Sequence, residues 1–169
     1  MNAHVLVAGI GNLFCSDDGF GPEVVRRLGD QVREDVRVVD YGIRGLHLAY
    51  DLLDGYDALV IVDAVPIGEA PGDLGVLRVR PEDVTAVELD AHDMNPVAVL
   101  GSLARLGGTL PLTYVVGCRP GSLEEGIGLT EAVTAALSPA VDTVRRLIER
   151  LVTELAGDAP YPVLVPRGA

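Results

Sequence analysis

Apolar positions along the chain fall into short β-branched runs separated by stretches with helical spacing. HVLVAGIG (4–11) is a continuous apolar run closed by glycine, the pattern of a strand buried on both faces. Gly21-Pro22 opens a helix, since proline suits a first helical position, and Val24, Val25, Leu28 and Val32 follow on one face. VRVVDYG (36–42) predicts a second strand, and LHLAYDLLDGY (46–56) a second helix closed by Gly55. ALVIVDAV (58–65) predicts a third strand, the most apolar of the chain. After a turn rich in Pro and Gly (66–73), LGVLRVR (74–80) alternates as an edge strand or hairpin arm does. Asn95-Pro96 starts an amphipathic helix, and PLTYVVGC (111–118) is a further strand. TEAVTAALSPAVDTVRRLIERLVTEL (130–155) is helical by periodicity. Pro139 removes a backbone donor inside it, so a break is expected there, with Ser138 capping the second half.

Strands alternating with helices define an α/β layered fold around a mainly parallel sheet, and ligands of such sheets sit beyond the carboxyl ends of the strands. The 169 residues suit one domain, expected over 1–156, with 157–169 a flexible tail. At 49% hydrophobic, the chain carries far too much apolar surface for disorder. A formal charge of −12, with every basic residue an arginine, repels nucleic acid and anionic membranes. Two distant cysteines, Cys15 and Cys118, make neither a disulfide scaffold nor a thiolate cage. No apolar stretch approaches the roughly 20 residues that span a bilayer, and the first residues lack a basic export signal. The expectation is a cytoplasmic protein.

Candidate chemistry collects where the strands end. The first strand is followed by GIGNLFCSDDGFG (9–21), the second by Asp40-Tyr41-Gly42, and the third by Asp63. The loop DAHDMNP (90–96), ahead of the fourth helix, holds His92. Gly9-x-Gly11 followed by Asp40 imitates the start of a dinucleotide fingerprint. Its third glycine is replaced by Phe14, however, and Asp17 and Asp18 would repel a pyrophosphate. A metal site fits better. Asp18, Asp63 and His92 form a mixed oxygen and nitrogen set suited to Zn, Ni, Mn or Fe(II), with positions left open for a substrate. Each also has a plainer reading: Asp18 complementing the next helix dipole, Asp63 capping a turn, His92 a solvated loop residue. His4 and His47 read as structural or surface residues. Cys15 has two carboxylates beside it and no base, the wrong setting for a catalytic thiolate, and Cys118 reads as a small core residue. Serine-elbow, HExxH and phosphate-loop motifs are absent from the sequence.

In combination, GIGNLFCSDDGFGPEVV, DYGIRG, VIVDAV, DAHDMNP and VVGCRPGSLEEGIGLT resemble the hydrogenase maturation proteases, from about residue 4 to about residue 155. The resemblance implies a twisted five-stranded sheet between helices on both faces. It implies an endopeptidase that removes a short carboxyl-terminal extension from the nickel-loaded large-subunit precursor of a [NiFe]-hydrogenase. Asp18 and Asp63 match the family's metal-binding carboxylates and His92 its histidine. Asp40 falls on a further acidic position, and Asp17, Asp40 and Asp93 are candidates for supporting or substrate-contacting roles. The resemblance implies nickel supplied by the substrate and no organic cofactor, and the free protein is expected to be a monomer. The alternatives are a non-cleaving module that binds the nickel centre, or a metal-dependent aminopeptidase or amidase with a resident ion.

Overall fold

The computed structural model describes residues 4–29, 33–85 and 96–157. Among them five strands form one sheet: β1 (Val5–Ile10), β2 (Val36–Gly42), β3 (Ala58–Ala64), β4 (Leu74–Val79) and β5 (Leu112–Cys118), in the order β2-β1-β3-β5-β4. β1, β2, β3 and β5 run parallel, and β4 is an antiparallel edge strand on β5. The alternating run at 74–80 is therefore the edge strand that its pattern predicts, half-buried along most of its length.

The helices are α1 (Phe20–Leu28), α2 (Gly45–Leu52), α3 (Pro81–Thr85), α4 (Pro96–Arg105) and α5 (Glu131–Ala156). They build a layer on each face because successive strand residues point to opposite sides. Val5, Val7, Val60, Val62 and Val116 face a core closed by α1 and α5. Leu6, Ala8, Ile10, Leu59, Ile61 and Val115 face a second core closed by α2 and α4. β1 and β3 are thus buried on both sides, which is why their sequences are uninterrupted apolar runs. Each fully buried Leu or Val there contributes roughly 1.5–3 kcal/mol from surface removed from water.

The helix boundaries depart from expectation in instructive places. α1 starts at Phe20, so Pro22 stands at the third helical position, where a backbone donor is still not needed. α2 ends at Leu52, and Gly55 follows in a turn with φ of 87°. α3, one short helical turn after β4, has no apolar periodicity to announce it.

The break expected at Pro139 does not occur. α5 is continuous from Glu131 to Ala156. Its buried stripe runs through Val133, Ala136, Leu137, Ala140, Val141 and Val144 without a step, so both halves are held to the same core. Pro139 itself lies on the exposed side, where water can satisfy the carbonyl that its ring deprives of a donor. Val32, the segment 86–95 and the tail beyond Gly157 lie outside the described residues.

Candidate active site

The chain leaves β1 toward β2 on one side and later places β3 on the other side of β1. The crevice between the carboxyl ends of β1 and β3 is the switch point where such sheets bind their ligands. Two close approaches shape it. A Cβ on Gly21 would stand 2.2 Å from the Val62 carbonyl oxygen and 2.4 Å from that of Ile10, so only glycine lets α1 start against both strands. Gly11 has φ of 148°, and a Cβ there would lie within 1.8 Å of the Asp18 carbonyl oxygen. The loop after β1 therefore doubles back tightly, and Asp18 arrives in a 3-10 turn, Ser16–Gly19, immediately ahead of α1.

Asp18 is half-buried, and its Oδ2 accepts a hydrogen bond from the Asn12 amide at 2.8 Å. Asp63 ends the apolar run of β3, on the same face as Leu59 and Ile61 by strand alternation. It is only 4% exposed. Burial is the main force raising its carboxyl pKa well above the ordinary value, and the charge of Asp18 pushes in the same direction. The Ala64 amide opposes them without prevailing. The two aspartates that the sequence singles out thus come together, one buried and one half-buried, close enough to repel. His92 and Asp93 lie outside the described residues. Among the described residues, no group of three or more His, Cys, Asp or Glu side chains is arranged to hold a metal ion.

The remaining candidates take other places. Asp40 is exposed at the end of β2, and its Oδ1 accepts from the Gly42 amide at 2.9 Å, a tight local turn. Asp17 is fully buried and accepts hydrogen bonds from Gly121, Ser122 and Thr130. Burial alone would raise the Asp17 pKa, but those hydrogen bonds prevail and hold it below the ordinary value. Cys118 is a buried free thiol whose pKa is pushed up to about 11, by burial first and then by the charges of Asp17 and Asp73. It is a core residue, as its strand position predicts. Cys15 is half-buried, and its backbone pairs with Gly126.

Two carboxylates at one crevice can bind a cation or exchange a proton with a water, the requirements of hydrolysis. The sequence profile of the family described as "HycI: Hydrogenase maturation protease" matches residues 22–147, most of the chain. The chain belongs to the hydrogenase maturation protease family. It is therefore a peptidase. Across 170 aligned residues it is 35% identical to the hydrogenase expression/formation protein HoxM of Azotobacter vinelandii, covering 96% of this chain and 81% of that one. It is 33% identical to the hydrogenase 2 maturation protease of Escherichia coli, over 83% of this chain and 87% of the relative. Among solved structures, it superposes on the hydrogenase maturating endopeptidase HybD from Escherichia coli. There the TM-score is 0.74 at 31% identity, over 88% of this chain and 93% of HybD. The five-stranded, mostly parallel sheet between helices is thus the fold of the family.

The protease also uses residues that sequence reasoning did not single out. Gly121, Ser122 and Thr130 hold the turn carrying Asp18 from more than 100 positions away. They lie within the run VVGCRPGSLEEGIGLT (115–130), but only a long-range pairing signal could have joined them to Asp17.

Proposed function

We propose that this protease removes a short carboxyl-terminal extension from the nickel-loaded large-subunit precursor of a [NiFe]-hydrogenase, with Asp18, Asp63 and His92 binding the nickel of the substrate. The observation that carries the reading is Asp63. A carboxylate buried to 4% exposure beside a second carboxylate is held in a state that an arriving cation would relieve. Nickel in the precursor supplies that cation, so binding energy is available only from loaded substrate.

The position of His92 along the chain supports its inclusion. It lies four residues before Pro96, the start of α4, and four residues reach about 14 Å at full extension. The first turn of α4 packs at the carboxyl edge of the sheet, where Val99 meets Gly45 at the head of α2. Asp40, at the end of β2, and Asp93, next to His92 in the sequence, are assigned supporting or substrate-contacting roles. Exposed Leu13 and Phe14 in the Asp18 loop, with exposed Ile127 nearby, suit a protein substrate better than a small polar one.

In the cleavage, a water oxygen attacks the scissile carbonyl carbon, one water proton passes to the leaving nitrogen as the C–N bond breaks, and the other leaves the new carboxyl group for the amine or solvent, giving a carboxylate. Two routes activate that water: coordination by the substrate's nickel, which lowers its pKa, or proton abstraction by a carboxylate. No organic cofactor takes part. The two free cysteines suit the reducing cytoplasm, where the protease acts as a monomer when free.

The test mixes the protease with nickel-loaded and nickel-free precursor and follows large-subunit mass. Loss of a short tail from the loaded form alone supports the proposal, and equal trimming of both forms contradicts it. Stable binding without any mass change would indicate a module that recognises the centre without cutting. A stoichiometric metal in the isolated protein would indicate a resident-ion amidase.

A further inference from the structure

Asp17 stands beside Asp18 in the same turn, yet its carboxylate serves a distant part of the chain. Its Oδ2 accepts hydrogen bonds from the Gly121 amide at 2.7 Å, the Ser122 amide at 3.0 Å and the Thr130 hydroxyl at 2.8 Å. Its Oδ1 accepts from the Thr130 amide at 2.7 Å. Backbone pairing extends the clasp: the Asp17 amide donates to Ser122 O, Ser16 to Gly126 O, and Gly126 to Phe14 O. The Ser16 hydroxyl donates to Glu124 O at 2.7 Å. Ser16 has φ of 52°, a left-handed conformation that a residue with a Cβ adopts only when its surroundings impose it.

Thr130 is the residue that opens α5, and α5 is anchored in the core along its length. The carboxylate of Asp17 therefore ties the turn to the longest of the described helices. Asp18 is one peptide unit away, and its own carboxylate is steadied from inside the loop by the Asn12 amide. A turn freed from α5 would carry Asp18 away from Asp63.

We propose that Asp17 is a positioning residue of the protease, setting the Asp18 carboxylate against Asp63 by pinning the turn to Gly121, Ser122 and Thr130. This rests on the reading of Asp18 and Asp63 as the nickel-binding pair.

The experiment measures cleavage of nickel-loaded precursor by folded variants. Asp17→Asn keeps the side chain's shape but turns an NH2 donor toward N–H donors, and kcat is expected to fall roughly 10–100-fold, as for a misplaced reacting group. Thr130→Val removes the hydroxyl donor alone and is expected to lower kcat less, about threefold, whereas Thr130→Ser restores the native rate. In an Asp18→Ala background, adding Asp17→Asn should leave affinity for loaded precursor unchanged, because the group it positions is gone. Native kcat in folded Asp17→Asn overturns the proposal, and so does a further loss of affinity in the double variant. If Asp17→Asn does not fold, Thr130→Val decides, with native kcat overturning the proposal. Native cleavage by Asp18→Ala would instead sink the nickel-site reading, a separate result.

Discussion

Gly21→Ala is the substitution that most sharply separates packing from function. The added Cβ would lie 2.2 Å from Val62 O, 2.4 Å from Ile10 O and 2.9 Å from Ile10 N, all backbone atoms of the two central strands. None of them can rotate aside. A carbon and a carbonyl oxygen settle at about 3.3 Å, so α1 must lift by about 1 Å. Overpacking of this kind costs about 1–3 kcal/mol, which in a chain of this size lowers the melting temperature by about 2–12 °C. The turn carrying Asp18 runs directly into α1, and Val62 directly precedes Asp63, so the same lift separates the two carboxylates. A displacement near 1 Å in a reacting geometry costs on the order of 100-fold in rate. Thermal melts and a precursor-cleavage time course at a temperature where the variant stays folded provide the two readouts. Gly55→Ala is the control: φ is 87° there, but nothing lies within 4 Å of the new Cβ. It should lose about 1–2 kcal/mol of stability from backbone strain and keep native cleavage. A Gly21→Ala protein that melts lower yet cleaves at the native rate would refute the claim that the approach of α1 sets the carboxylate geometry.

Further outcomes follow from the same physical terms. Asp63→Asn should abolish cleavage while raising stability at neutral pH. The folded carboxyl pKa lies above the unfolded value, so the native state binds the extra proton, and wild-type stability falls as pH rises from the unfolded-state pKa through the folded one. Melts from about pH 3.5 to about pH 8 should show the variant level with wild type at the acid end and above it at the alkaline end. A variant less stable than wild type throughout would contradict the burial argument. Pro139→Ala restores the missing donor on the exposed side of α5 and should add up to about 3 kcal/mol of stability, raising the melting temperature by up to about 12 °C, with native cleavage. A lowered melting temperature would mean that the proline ring contributes packing.

The strands and the sheet edge of the site were legible because both arise from local patterns. β1 and β3 are buried on both faces and so carry unbroken β-branched runs, and a charged residue closing such a run, Asp63, stands out against it. Asp18 was legible through its place in the loop at the carboxyl end of β1, whose tight turns the structure explains by contacts at Gly11 and Gly21. Pro139 misled because a proline's local cost was weighed without the core stripe that holds both halves of α5 in line. Asp17 was legible as a supporting or substrate-contacting candidate, but the partners of its carboxylate were illegible for a different reason. Its partners lie 104 to 113 residues further along, and nothing near position 17 distinguishes a brace from a ligand. α3 is a single turn without a buried face pattern of its own, and periodicity needs more residues than that.

The most direct measurement of the central claim is nickel-edge X-ray absorption on loaded precursor, alone and in complex with the protease stalled before cleavage. Binding should add light oxygen or nitrogen scatterers to the nickel's first coordination sphere. The complex formed with Asp63→Ala should show fewer of them. A nickel spectrum unchanged on binding, from a protease that still trims the precursor, would contradict direct capture of the metal by Asp18 and Asp63.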